Sequence, residues 1–421
     1  MQHSSGLDLQ PFTGLRYAPA RVRSLAAVTS PPYDVVVRPD GQDHLEQADP
    51  HNIVRLILPP TPEAAADMLR DWQAEGVLVP DPQPALYVYE QRRGELLQRG
   101  VVGALRLSAP EEGVVLPHEG VMEHIVADRA NVMRATAANL EPLLLAYRSN
   151  GHAMGATAVI EQVAQRPPLL STTTEDGFAH RLWCVTDPAE LATVQKDLAD
   201  RQAMIADGHH RWATYLRLRD ERGAAAGPWD YGLVLLVDTA RYPLEVKAIH
   251  RLLHSQGTEA VLRAVRGAFA GVRTVPGPVE DALAELERAA AAGPAFVLAG
   301  DGAYHLITEP DLEQVAAHVQ PNAAGAPLPL DAAIADQLIL GELCGIRDDG
   351  AEQVSHIHGA AAAVARAEQI GGTAVLMAPV SEDVVREHAR RGVTMPRKST
   401  SFGPKPATGL VLRVLGVSGV E

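Results

Sequence analysis

The apolar run Met204-Ile205-Ala206 stops at Asp207-Gly208, and a helical stretch takes over from about Arg211 to Arg222. A chain that changes its period over so few residues must fold there as a strand, a tight turn and a helix. The turn reads Asp207-Gly208-His209-His210-Arg211-Trp212. A helix start presents unpaired backbone N–H groups and the positive end of the helix dipole. Two imidazoles and a guanidinium beside them suit a phosphate or a carboxylate.

The elements around this turn predict an α+β (mixed α/β) protein. Thr61-Pro62-Glu63 and Asp187-Pro188-Ala189-Glu190 are helix starts, each a capping residue, a proline and then an acid. Tyr87–Glu90 and Val101–Leu107 read as strands joined near Arg93-Gly94, and His51–Leu58 also has strand character. Leu233–Val237 reads as a strand buried on both faces. A helix is expected from Asp128 to Leu140, and helical spacing runs through the alanine- and glutamate-rich stretch 257–294. A hairpin then turns at Asp301-Gly302. A helix over Asp331–Glu342, a strand over Thr373–Met377 and a helix from Ser381 to Gly392 follow. An irregular polar loop, Met395 to Pro406, leads into a last strand, Thr408–Leu415. The regular βαβ rhythm of a dinucleotide-binding domain is missing. At 421 residues two domains are expected, residues 7–255 and 256–421.

Composition excludes several classes. With 37 basic against 52 acidic residues the formal charge is −15, which argues against a general nucleic-acid or anionic-membrane surface. The start, Met1 to Gly6, has neither a basic nor an apolar signal region, so a cytoplasmic protein is expected. No apolar run reaches the length of a membrane span. Cys184 and Cys344 stand far apart, which fits a reducing compartment and excludes a cysteine-based zinc site. Lysine is scarce: only residues 196, 247, 398 and 405 are lysines, and two of them fall close together near the C-terminus.

The chemistry-bearing positions follow from these constraints. Asp207 is placed to ligate Mg²⁺ or orient a histidine, with Gly208, His209, His210 and Arg211 around an anion. Adjacent histidines diverge on a helix, so His209 and His210 do not form a metal pair. Arg397, Lys398, Ser399 and Thr400 supply charge and hydroxyls for a second phosphate-gripping loop, though no Walker motif is present. His118-Glu119 offers a general base beside an imidazole, and Asp34, after the rigid Pro31-Pro32-Tyr33 elbow, is a metal ligand or a turn residue. For each of these the plainer alternative is a solvated turn. Neither Gly-x-Ser-x-Gly nor Gly-x-Gly-x-x-Gly occurs.

Six ordered strings carry a resemblance: Pro31 to Val35, Asn52 to Leu56, Leu116 to Glu119, Arg134 to Pro142, Ile205 to Arg211, and Met395 to Lys405. Together they resemble the bacterial and archaeal family known as domain of unknown function 1015, over about residues 10–415. The Asp-Gly-His-His-Arg string is also similar to the motif of the ParB/sulfiredoxin-like superfamily, which includes free serine kinases. This remoter resemblance implies a ParB/sulfiredoxin-like core with a large insertion. It further implies ATP or ADP with Mg²⁺ as cofactors, and phosphates cradled by Gly208 to Arg211. The resulting expectation is a small-molecule kinase for a hydroxyl-bearing metabolite such as free L-serine. In it Glu119 is the base, His118 orients it, and Asp207, His209 and His210 complete the catalytic set. A ParB-like nucleotide-binding regulator and a phosphatase are the alternatives.

Overall fold

The computed structural model describes residues 6–36, 41–223, 226–320, 329–346 and 353–415. The chain divides into two compact units, Met1–Leu244 with Pro404–Glu421, and Glu245–Gly403. The second is thus inserted into the first. The division falls at 244/245, where the sequence reading placed it at 255/256, and the chain returns to the first unit for its last stretch. The architecture is mixed α+β.

In the first unit the apolar strand Tyr231–Asp238 lies inside a nine-stranded mixed sheet. It runs parallel to Leu143–Tyr147 and antiparallel to Leu96–Arg106, so both its edges are paired, and its successive residues from Gly232 to Asp238 are buried, which is why the run is continuously apolar up to Asp238. Beyond Leu143–Tyr147 come Ala203–Asp207, antiparallel, and then Val115–Leu116. On the other side Leu96–Arg106 forms a hairpin with Leu86–Arg93 around Gly94, whose φ of 59° favours glycine. Ala179–Val185 and Leu170–Thr173 complete that edge. Leu145, Ile205, Val234 and Leu236 pack with Met133, Trp212, Tyr215 and Leu218 from the helices Glu123–Thr136 and His209–Arg222. A second core joins the small sheet Leu78–Pro80, Gly14–Tyr17, Leu412–Val414, Ala138–Asn139 to the helix Pro62–Ala74, through Leu15, Tyr17, Leu69, Trp72 and Leu412.

The second unit is built on a six-stranded sheet in the order Phe269–Val275, Tyr304–Pro310, Ala295–Ala299, Thr373–Met377, His250–Leu253, Val354–Ile357, all neighbours antiparallel. Alternate residues of its central strands face opposite ways. Phe296, Leu298, Val375 and Met377 meet one group of helices, and Val297, Ala299, Ala374 and Leu376 meet another. The sheet is therefore covered on both faces.

Several elements depart from the sequence reading. His51–Leu58 holds a short helix, Val54–Ile57, because Asn52 accepts the Val54 N–H (2.9 Å) and donates to the Ala27 carbonyl (2.8 Å). Its apolar run fits a buried helical turn as well as a strand. The helix expected over 128–140 spans Glu123–Thr136 and ends where Ala137 turns left-handed (φ 46°), leaving 138–139 for a strand. The stretch 257–294 contains the strand Phe269–Val275 between two helices. The helix expected over 331–342 is α-helical for Asp331–Ala333 and then a π-helix, Ile334–Leu343. The loop 395–406 contains the strand Thr400–Gly403, and the last strand shortens to Leu412–Val414.

That π-helix is tied to the sheet by charge. Arg251, fully buried, pairs with Asp336 through Nη2 at 2.7 Å and Nε at 2.8 Å, and its Nη1 donates to the carbonyls of Ile249 and Lys398. Removing Asp336 leaves a buried guanidinium without its counter-charge. Asp336→Ala is expected to destabilise the protein by about 2–4 kcal/mol, discounted from the fully buried case because Asp336 keeps partial solvent access. Urea denaturation would show the shift in midpoint.

Candidate functional site

The strand–turn–helix of the sequence motif forms as Ala203–Asp207, Gly208 and His209–Arg222. Gly208 caps the helix with φ 100°, and a Cβ there would meet Leu143 Cγ at 2.9 Å. Glycine is required both for the conformation and for the space. The pairing of Ala203–Asp207 with Leu143–Tyr147 shifts register between Ile205 and Asp207, a bulge that re-aims the last residue of the strand. Asp207 therefore sits at the mouth of the helix, and the side chain of Arg211, one turn along, folds back onto it.

These charges form a chain. Arg211 Nη2 donates to Asp207 Oδ2 at 2.6 Å, Nη1 donates to the Pro142 carbonyl at 3.1 Å, and Glu141 Oε1 lies 4.0 Å from Nη1. Lys405 Nζ stands 2.5 Å from Asp207 Oδ1 and 2.5 Å from Asp34 Oδ2, bridging the two carboxylates. Glu141 accepts the Tyr33 N–H at 2.9 Å, and the Tyr33 ring lies under the guanidinium of Arg129 at 4.6 Å. Side-chain exposure rises along the chain, from 4% at Arg211 and 8% at Asp207 to 19% at Lys405 and 37% at Asp34. The network thus has a buried base and a solvent-facing edge.

Electrostatics follow the same gradient. Burial drives the Asp207 carboxyl upward, and nearby Asp34 adds to it, against the pull of Lys405 and Arg211. Burial also penalises the charged form of Asp34, yet Lys405 and Arg211 outweigh it and hold Asp34 below the usual carboxylate range. Burial raises Glu141, while Arg211 opposes the rise. Asp34 is the ionised, accessible carboxylate of the set.

The two histidines take a different part from the one their charge implies. His209 Nε2 accepts the backbone N–H of His118 at 3.3 Å, and His210 Nε2 accepts that of Met122 at 3.1 Å. A ring nitrogen that accepts from a backbone amide carries no proton. Burial, with His118, His210 and Lys405 nearby, keeps the His209 pKa well below its ordinary value. Burial lowers His118 to about 4. Neutral imidazoles therefore brace the 118–122 segment, which carries Glu119, against the helix start.

The structure thus gathers His118, Glu119, Asp207, Gly208, His209, His210 and Arg211 in one region, with Asp34 joined through Lys405. Arg397, Lys398, Ser399 and Thr400 belong to the second unit. There Arg397 and Lys398 are exposed, while Ser399 and Thr400 are buried. Lys398 has φ 52°, and its carbonyl is held by Arg251. Among the described residues no group of three or more His, Cys, Asp or Glu side chains is arranged to hold a metal ion. No described helix is long and apolar enough to cross a membrane.

Sequence reasoning missed Lys405, Glu141, Tyr33 and Arg129. Lys405 did carry a signal: it lies between Pro404 and Pro406, which fix the backbone on either side of a rare lysine. Its position is set from below. The Pro404 carbonyl accepts from Gln91 Nε2 (3.0 Å) and Gln98 Nε2 (3.1 Å), and Ala407 N donates to Tyr89 OH (3.2 Å). A backbone bridge between Ser30 and Thr408 then sets the Pro31–Asp34 elbow opposite Lys405.

A family model described as "Protein of unknown function (DUF1015)" matches residues 9–332. No curated protein matches the chain. Among solved structures it is similar to free serine kinase in complex with AMP, at 16% identity and a TM-score of 0.35, covering 70% of this chain and 88% of that one. SbnI with a C-terminal truncation from Staphylococcus aureus is 10% identical with a TM-score of 0.37, covering 76% and 90%. A conserved hypothetical protein from Pyrococcus furiosus is 16% identical with a TM-score of 0.35, covering 70% and 90%.

Two outcomes follow from this geometry. Gly208→Ala forces a side chain into a left-handed position against Leu143, and is expected to cost about 1–3 kcal/mol, read as a lowered midpoint of thermal or urea unfolding. The lowered histidines give stability that is complete above their unfolded value of about 6.5 and is lost as pH falls toward 4, since the unfolded chain binds protons first. His118 alone accounts for about 3 kcal/mol of that loss. Tm measured from pH 7 to 4 is expected to fall more steeply for the native protein than for His118→Asn.

Proposed function

The chain belongs to the DUF1015 family, and we propose that it is a nucleotide-dependent phosphotransferase acting on a small hydroxyl-bearing metabolite, with free L-serine as the first acceptor. The observation that carries this reading is the charge chain Arg211–Asp207–Lys405–Asp34 at the strand–helix junction, graded from buried to accessible. Phosphoryl transfer asks little covalent chemistry of a protein; it needs charge compensation, positioning and a base for the attacking hydroxyl. Each requirement has a local group here.

A hard cation such as Mg²⁺, which would supply neutralisation of nucleotide phosphates when bound, would be held by Asp34, since both Asp207 oxygens are engaged by Arg211 and Lys405. Asp34, ionised and 37% exposed, is the better ligand of the two. Arg211 acts from behind: both its Nη atoms are engaged, so it fixes the Asp207 carboxylate. Glu119, half-buried on the segment that His209 and His210 brace, takes the proton of the acceptor hydroxyl. His118 stays neutral at physiological pH and orients that segment.

Isothermal titration with ATP, ADP and CTP in the presence of Mg²⁺, followed by product analysis with serine, tests the reading. Binding in the micromolar to millimolar range and transfer to a hydroxyl are expected, with Glu119→Gln lowering kcat by about 10²–10⁴-fold while nucleotide binding survives. Release of inorganic phosphate from a phosphorylated substrate without nucleotide would overturn it in favour of a phosphatase, and a specific DNA mobility shift would favour a ParB-like regulator.

A further inference from the structure

Lys405 is a cation of the site that keeps partial access to solvent. An ammonium group donates three hydrogen bonds, and among the described residues two are used, on Asp34 and Asp207. The remaining donor belongs to a side chain with 19% exposure, at the solvent-facing edge of the network. Arg211, by contrast, is 4% exposed and ends on Asp207 and Pro142.

The backbone that carries Lys405 is built for placement. Two prolines flank it, and two buried glutamine amides hold the Pro404 carbonyl. Gln91 Nε2 also donates to Gln98 Oε1 at 2.6 Å, which locks the two amides together. On the far side Tyr89 OH accepts from Ala407 N while its oxygen stands 2.8 Å from His180 Nδ1, and His180 Nε2 is 2.9 Å from Thr174 Oγ1. A lysine that served only to neutralise Asp207 would not need its own backbone anchored from both directions by buried polar side chains.

We infer that Lys405 is the phosphate-contacting residue of this site: its ammonium, held ready between Asp34 and Asp207, donates to a terminal phosphate oxygen of a Mg²⁺-bound nucleoside diphosphate or triphosphate. The inference rests on the phosphotransferase reading for its ligand class. The two carboxylates aim the ammonium, and the strap 404–407 fixes its distance from the helix start. No covalent bond to Lys405 is involved.

The probes are Mg²⁺–ADP and Mg²⁺–pyrophosphate, titrated into the intact protein. Lys405→Met is expected to weaken both by about tenfold to a hundredfold, the size of one charge-assisted hydrogen bond, and Lys405→Arg to recover most of the loss. Equal affinity in Lys405→Met and native protein overturns the inference and leaves the functional reading standing. Pyrophosphate binding that depends on Lys405, with no transfer to any hydroxyl, supports the inference and overturns the functional reading. Absence of binding by either probe at millimolar concentration overturns both. Because Lys405→Met leaves two close carboxylates uncompensated and risks misfolding, a measurement on the native protein runs beside it. Amine-directed labelling read by peptide mass spectrometry distinguishes the four lysines, and either probe is expected to slow modification of Lys405 selectively. Saturating ligand without that protection counts against the inference.

Discussion

The ion pair between Arg211 and Asp207 is the interaction on which the first unit's site depends. Both groups are withdrawn from water, and each offsets part of the other's desolvation. Once Arg211 folds back over the Gly208 turn, its second Nη reaches the Pro142 carbonyl, and the segment 141–142 is fixed. Glu141 then holds the Tyr33 amide, and Lys405 closes the circuit from Asp207 to Asp34. Segments near residues 33, 141, 207 and 405 are thereby drawn together by one continuous set of charges. The bulge before Asp207 and the glycine after it are the backbone conditions that allow this.

Around that pair the molecule separates charge from support. The accessible end carries ionised groups, and the buried flank carries neutral imidazoles whose lone pairs receive backbone amides. A protonated His209 or His210 could not accept those amides, so the same residues cannot brace the 118–122 segment and bear positive charge. Desolvation settles the matter for the neutral form.

The strand–turn–helix at 203–222 was legible in the sequence because its period changes abruptly and because Asp, Gly and His fall where a helix begins. So were the helices starting at Pro62 and Pro188, which announce themselves by their caps, and the buried strand around Leu235. Asp34 and Asp207, which Lys405 bridges, could be singled out as candidates from their chemistry. Their mutual arrangement could not, since it is set by pairings such as Ser30 with Thr408, hundreds of residues apart, that leave no local pattern. The helical turn Val54–Ile57 was hidden because a short apolar run has the same composition whether it coils or extends. Lys398 drew attention beside its hydroxyls, while Lys405, between prolines, looked like part of a loop; only tertiary hydrogen bonds to Gln91 and Gln98 distinguish it. Tyr33 and Glu141 lie in strings that carry the resemblance, but nothing local in those strings marks a charge network, and Arg129 stands outside them.

The insertion of residues 245–403 has a consequence for how the molecule is made. During synthesis the nine-stranded sheet has all its strands once Asp238 has emerged, yet the strap 404–408 follows only after the whole second unit has been translated. Until then Asp34 and Asp207 lack the ammonium that joins them, and the small sheet lacks the strand Leu412–Val414. Vectorial folding thus leaves a nascent chain with an assembled scaffold and an unfinished centre. Completion of the charge circuit waits on residues 404–408, which are translated only after the second unit.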